Sequence, residues 1–335
     1  MKLKELVYAF GVPGFEDEIR ELIKEHMSQY ADNVSVDRMG NVVGVKKGNE
    51  RKVMVAAHMD QIGFMVRGIT DDGYLAIAPI GGINSPVLRS AIVRINTENG
   101  FIKGVIGEKP PHLGKEKKSV EIKDMRVDIG VNSKKEAEKI VKIGDVGSFE
   151  PQYYEFNGKI VANSLDDRVG IYVILKALEK VESEATIYFV ATVQEEIGLK
   201  GARTSSFSIA PDIGIAVDVT HATMPGVGKD DVSVELGAGP AVSVGAVANP
   251  KLYKHIIQVA KTRKIPVQIE ANPAWSGTDA DIIQLARDGV ATGVLSIPER
   301  YMHSQVEMIS KKDVNNTIKL LVETLKTVDS VDLKW

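Results

Sequence analysis

The sequence predicts an α/β protein: a largely parallel sheet with helices on both faces, interrupted by a small inserted β-barrel. Three observations carry this expectation. After Lys159, strand-like apolar runs alternate with helical patterns to the end of the chain, as they do where helices join parallel strands. Between about Gly63 and Gly158, short strands follow one another through Asp72-Gly73, Gly81-Gly82 and Asn99-Gly100, all hairpin signals. The run Thr186–Thr192 is β-branched, aromatic and small throughout, which suits a central strand buried on both faces.

In chain order, residues 16–30 place Ile19, Leu22, Ile23, Met27 and Tyr30 on one helical face. Val34–Asp37 and Asn41–Val45 alternate as strands around Met39-Gly40, and Lys52–Ala57 is a buried strand. Barrel strands are expected at 64–69, 74–78, 91–95 and 101–106, and Ser133 with Glu136 forms a capping box for a short helix. Asn157-Gly158 closes this segment, dividing the chain into 1–63 with 159–335 and an insert of 64–158. Within the insert, Lys109–Lys118 reads as a charged, mobile loop, and residues 107–124 and 221–240 suggest no role. Helices follow from Asp167 to about Val181, at 200–207, 250–264 and 278–288, with strands at 186–193, 213–219, 266–270 and 290–297. A last helix starts at Ser310, with Asp313 as its capping partner.

At 335 residues with 44% hydrophobic and 26% charged side chains, the chain suits an ordinary globular protein of two domains. A net charge of -3 gives no reason to expect nucleic acid or an anionic membrane as partner. No cysteine is present, so disulfides, thiolate ligands and cysteine nucleophiles are excluded, and a metal must be held by nitrogen and oxygen. No segment approaches membrane-spanning length and Met1–Leu6 lacks a leader-like apolar core, so the cytoplasm is the expected location.

The chemistry gathers at strand ends, where open α/β sheets place their sites. His58-Met59-Asp60 ends one strand; a hydrogen-bonded core histidine would explain it, and so would a ligand whose tautomer a carboxylate fixes. Asp166-Asp167-Arg168 opens a helix, where capping accounts for one aspartate and leaves the other free. Glu195-Glu196 follows the central strand; alone it reads as a solvated pair, while beside a metal one is a ligand and the other a base. Asp218 and His303 also follow strands, where a turn former and a surface histidine are the plain readings. Ser276–Asp281 reads as a helix start capped by Thr278 that could also line a pocket. His26, His112 and His255 have no matching placement, and His221 stands near enough to Asp218 for a substrate contact. Together, two histidines and several carboxylates without sulfur suit Zn²⁺, Co²⁺ or Mn²⁺. A glycosidase would need carboxylates about 5–9 Å apart across a sugar, which adjacent residues do not readily provide.

Read together, His58-Met-Asp-Gln-Ile-Gly, Asp166-Asp-Arg, Gln194-Glu-Glu-Ile-Gly-Leu-Lys-Gly-Ala, Asp218-Val-Thr, Gly277-Thr-Asp-Ala and Arg300-Tyr-Met-His-Ser resemble the tetrahedral (TET) aminopeptidases. That family of dinuclear metallopeptidases includes glutamyl and deblocking enzymes and some members labelled endoglucanases. The resemblance spans the chain. It implies that His58 and Asp218 hold one divalent ion and Glu196 and His303 another (Zn²⁺ or Co²⁺), with Asp166 bridging. It also implies that Glu195 is the general base, working on a bridging hydroxide, and that Asp60 orients His58. The implied fold is a phosphorylase/hydrolase-like mixed sheet carrying a PDZ-like barrel used in dimerisation. The implied partners are peptides with a free N-terminus and further copies of the chain, in a homododecamer built from dimers. Asn163-Ser-Leu before Asp166 and Trp275-Ser276 before Gly277 depart from many relatives, which leaves substrate preference open. A deacylase or carboxypeptidase on a similar fold, and a non-catalytic metal-bound scaffold, are the alternatives. A spare carboxylate at Glu195 beside Glu196 argues against the scaffold.

Overall fold

The computed structural model describes residues 1–113, 121–228, 230 and 232–333. Helices α1 (Leu3–Tyr8) and α2 (Asp17–Met27) open the chain, and α2 buries Ile19, Ile23 and Met27 on one face. A hairpin of β1 (Asn33–Val36) and β2 (Val42–Lys46) leads to the buried strand β3 (Lys52–His58). Next come β4 (Gly63–Ile69), β5 (Leu75–Ile80), α3 (Ser85–Leu88), β6 (Ala91–Thr97) and β7 (Gly100–Ile106). They are followed by β8 (Arg126–Val127), α4 (Lys134–Ala137), β9 (Val146–Phe149), and the hairpin β10 (Tyr153–Phe156) and β11 (Lys159–Ala162). The remainder runs α5 (Leu165–Leu178), β12 (Thr186–Thr192), α6 (Lys200–Ile209), β13 (Ile213–His221), β14 (Ala241–Gly245) and α7 (Pro250–Arg263). It ends with β15 (Gln268–Asn272), α8 (Ala280–Ile283), β16 (Ala291–Arg300), β17 (Glu307–Ser310) and α9 (Lys311–Leu325). None of these helices is long and apolar enough to cross a membrane.

Eleven strands form one sheet, β1-β2-β12-β3-β13-β16-β17-β11-β10, with β14 beside β16 and β15 beside β14. Its centre, β12, β3, β13 and β16, is parallel. Apart from the parallel pair β14–β15, its flanks pair antiparallel, so the sheet is mixed, as the resemblance implies and strand–helix alternation alone does not. Parallel strands need a crossover, and helices supply it between β12 and β13 (α6) and between β14 and β15 (α7), whereas tight turns such as Asn157-Gly158 join antiparallel neighbours. Period two divides each central strand between two faces. Val53, Val55 and Ala57 of β3, Ile187, Phe189 and Ala191 of β12, and Ile213, Ile215 and Val217 of β13 join the main core with α1, α2, α5, α7 and α9. Met54, Ala56 and Val190 face the other way, towards Ala202 of α6 and Ile283 of α8. Helices therefore cover both faces.

The second sheet, β7-β6-β9-β4-β5-β8, is antiparallel throughout. Val105 at one edge exchanges backbone hydrogen bonds with Asp128 beyond the other, which nearly closes it into a barrel around Phe64, Val66, Leu75, Val93 and Val127. The Asn99-Gly100 signal makes the β6–β7 hairpin as expected. Gly81-Gly82 does not make a hairpin; it leads from β5 to α3 and passes close to the strand ends of the large sheet. Ser133 caps α4 by accepting the Glu136 N–H, and the Glu136 side chain reaches the Asn132 N–H. Residues 114–120 of the expected charged loop lie outside the described residues.

Two helix starts differ from expectation. Asp313 does not cap α9; its carboxylate accepts the Gly237 and Gly239 N–H groups at 2.6 and 2.9 Å, pinning part of the glycine-rich stretch that resisted assignment. The helix expected over 278–288 is only α8, and Thr278 accepts the Ala280 N–H without capping it. Asp281 instead folds back to accept N–H groups of Ser276 and Gly277 at 2.9 Å, and that turn displaces the helix start.

Candidate metal centre

The parallel strands bring their carboxyl ends to one edge of the sheet, and every site residue expected from the sequence meets there. His58 is the last residue of β3, and Asp218 lies near the end of β13. His303 follows β16 in a turn at positive φ. Glu195 and Glu196 follow β12 after Gln194, whose φ of 55° turns the chain out of the strand, so strand alternation does not govern their directions. Gly201, at the next bend, packs so closely that an added Cβ would lie 2.4 Å from the Val193 carbonyl oxygen.

Asp60 organises this turn. Its two oxygens accept the N–H groups of Glu195 and Glu196 at 3.0 and 3.1 Å, and Oδ1 stands 3.5 Å from His58 Nδ1. At the start of α5, Asp167 accepts the Gly170 N–H at 2.9 Å and the His58 N–H at 3.2 Å. One aspartate thus caps the helix and leaves the other free. Arg168 pairs with neither; fully buried, it donates to the carbonyls of Leu6 and Ala9 at 2.6 and 3.0 Å.

Asp166 stands between the two imidazoles. Its Oδ1 is 3.0 Å from His58 Nε2 and its Oδ2 is 3.1 Å from His303 Nε2. Glu196 Oε1 lies 3.2 Å from the same His303 nitrogen, and Glu195 Oε2 lies 3.9 Å from His58 Nε2. Donor atoms of His58, Asp166 and Glu196 lie within 4.8 Å of one another, as do those of His58, Asp167 and Asp218. The set opens into a cleft of about 400 Å³ shared with Thr220, His221, Ser276, Gly277, Thr278 and Met302.

The electrostatics ask for positive charge. Burial, then neighbouring carboxylates, pushes Asp218 and Asp167 far above the carboxylate range, and Glu195 up to about 10. Burial also acts to raise Asp166 and to lower His303. The hydrogen bonds joining them outweigh it, holding Asp166 well below its usual range and lifting His303 to about 11. A divalent cation would bring positive charge to the carboxylates gathered around the two imidazoles. Nitrogen and oxygen donors converging without sulfur fit zinc, cobalt or manganese, and Asp166 has one oxygen for each of two positions.

Three carboxylates here escaped the sequence reading. Glu307, 1% exposed, accepts the N–H groups of Leu165 at 2.5 Å, Asp166 at 3.3 Å and His303 at 3.0 Å, gripping the backbones behind two site residues. Asp279, expected only as part of a helix start that could line a pocket, is buried and accepts the Thr192 hydroxyl at 2.6 Å. Glu299 is fully buried with no hydrogen bond to either oxygen. Backbone-directed bonds leave no motif, so only the spacing of Glu307 four residues after His303 could have drawn notice. Of the other histidines, His221 lines the cleft, His26 meets Glu179, His255 meets Thr327, and His112 lies exposed in a turn.

The sequence profile of the M42 glutamyl aminopeptidases matches residues 40–320. The chain belongs to the M42 family. It is 46% identical over 338 residues to the lysyl aminopeptidase of Pyrococcus furiosus, with 98% of this chain and 97% of that one aligned. Among solved structures, this M42 member resembles a TET aminopeptidase from Thaumarchaeota archaeon SCGC AB-539-E09, with a TM-score of 0.93, 36% identity and 98% of each chain covered. It also resembles the Pyrococcus horikoshii TET1 peptidase, described as assembling into a tetrahedron or a large octahedral shell, with a TM-score of 0.87, 34% identity and 97% and 98% coverage.

Proposed function

We propose that the protein is a dinuclear metallo-aminopeptidase that removes N-terminal residues from peptides. The observation that carries this is the placement of Asp166 between His58 and His303, with Glu195 beside them and unengaged by any side-chain hydrogen bond among the described residues. His58 and Asp218 would hold one divalent cation and Glu196 and His303 the other, with one Asp166 oxygen near each histidine. When bound, the two cations polarise the substrate carbonyl and make a shared water acidic enough to react at neutral pH. Glu195 would serve as the base, taking a proton from the attacking water and returning it to the leaving amine. Asp60 keeps Glu195 and Glu196 apart in their roles by fixing both backbones, and stands behind His58.

The same reading takes 64–158 as an inserted PDZ-like dimerisation domain on a catalytic domain of 1–63 and 159–335. It also takes the protein to be a cytoplasmic homododecamer of dimers; the assembly of the Pyrococcus horikoshii TET1 peptidase into a tetrahedron or a large octahedral shell supports the homo-oligomer. Glu195→Gln is expected to retain both metals and lose about 10²–10⁴-fold in turnover. Full activity at full metal content would remove Glu195 from the role of base. Hydrolysis of N-acetylated substrates as fast as free-amine ones would favour a deacylase instead.

A further inference from the structure

We propose that the cleft selects N-terminal residues with a cationic side chain, lysine or arginine, and that Glu270 makes the selection. This rests on the aminopeptidase reading above. Thr220 is two residues beyond Asp218 on β13, so the two side chains leave the same face of the strand. At about 3.3 Å per residue, Thr220 stands about 6–7 Å further out along the cleft wall. Its hydroxyl donates to Glu270 Oε1 on β15. The other carboxylate oxygen accepts from Ser243 Oγ at 3.3 Å and Asn272 Nδ2 at 3.4 Å. Ser243 is the register partner of Glu270 across β14 and β15, so the sheet itself fixes this group.

All three donors are neutral, and among the described residues no lysine, arginine or histidine pairs with Glu270. Beyond the proposed metal ligands and Glu195, the cleft lining, which includes Thr220, His221 and Ser276, has neither lysine nor arginine. Glu270 thus stands half-buried directly behind the Thr220 hydroxyl of the cleft lining, a carboxylate with no cationic partner among the described residues. A substrate whose amine and carbonyl sit at the cations sends its side chain outward along β13. The flexible stem of lysine or arginine spans that interval and delivers its charge to Glu270. An acidic side chain would meet Glu270 with no lysine or arginine in the cleft lining to offset it, which is a repulsive element against it.

The test uses metal-loaded, full-length protein and lysyl-, arginyl-, leucyl- and glutamyl-p-nitroanilide. The lysyl and arginyl substrates should show the highest kcat/KM, with the difference from leucyl residing mainly in KM. Glu270→Gln should lower the lysyl-to-leucyl ratio of kcat/KM by about 10- to 100-fold, the scale of a lost charge-assisted contact. Without any substitution, raising the salt concentration should lower the same ratio. A ratio unmoved by the substitution would reduce Glu270 to a tie between β15 and β13 and overturn the proposal, as would a native preference for leucyl or glutamyl. Those outcomes leave the aminopeptidase reading standing; failure to cleave any of the four with both metals bound defeats both.

Discussion

Glu307 offers the sharpest check on how the metal centre is held. One carboxylate, 1% exposed, accepts three backbone N–H groups from two separate segments: Leu165 and Asp166 on one side, His303 on the other. Glu307→Gln keeps the shape but supplies only one accepting atom, so its NH₂ must face an N–H on one side. A buried donor left unpaired costs about 1–3 kcal/mol, and the variant should lose about that much stability. The larger consequence is for metal. Groups that orient ligands typically contribute 10–100-fold in metal affinity, which corresponds to about 1.4–2.8 kcal/mol and matches the cost of the unpaired donor. Titration with Zn²⁺ against a competing chelator should show the position held by His303 and Glu196 weakened 10–100-fold. The position held by His58 and Asp218 should change less, because Asp167 and Asp60 support it from their own side. Denaturant unfolding of the same preparation reports the stability change. If a folded Glu307→Gln protein binds both ions with native affinity, the backbone clamp has no role in holding them.

Two further outcomes follow from local geometry. At Gly82 an added Cβ would lie 2.5 Å from His303 Nδ1, so Gly82→Ala should push the imidazole aside and lower kcat/KM at least about tenfold, while unfolding free energy changes by no more than about 1–3 kcal/mol; unchanged activity would place His303 outside the working site. Glu16 is 1% exposed with Oε1 unpartnered, and burial above all raises its carboxyl from 4.5 to about 7. A raised carboxyl contributes stability that is fully present below its unfolded value and lost as pH rises through about 7. Glu16→Gln should therefore leave stability at pH 4 nearly unchanged and raise it at pH 8 by about 3 kcal/mol, read from denaturant midpoints; a variant no more stable at pH 8 would contradict the assignment.

The sequence by itself determined the alternation of strand and helix, the inserted run of hairpins, and the identities of His58, Asp166, Glu195, Glu196, Asp218 and His303. These were legible because local periodicity and turn residues mark where each strand ends, and α/β sheets put their chemistry at those ends. Strand–helix alternation alone suggested a largely parallel sheet; the resemblance implied a mixed one, and the strand pairing shows it, since strand direction depends on which neighbours pair. The tertiary structure alone turned Gly81-Gly82 from an expected hairpin into the close wall beside His303. It alone showed that Asp313 serves glycine amides and not its own helix, and that Glu307, Asp279 and Glu270 stand behind the cleft. Each of those side chains acts on groups far away in the chain, through space and mostly on backbone, and neither periodicity nor motif records a contact of that kind.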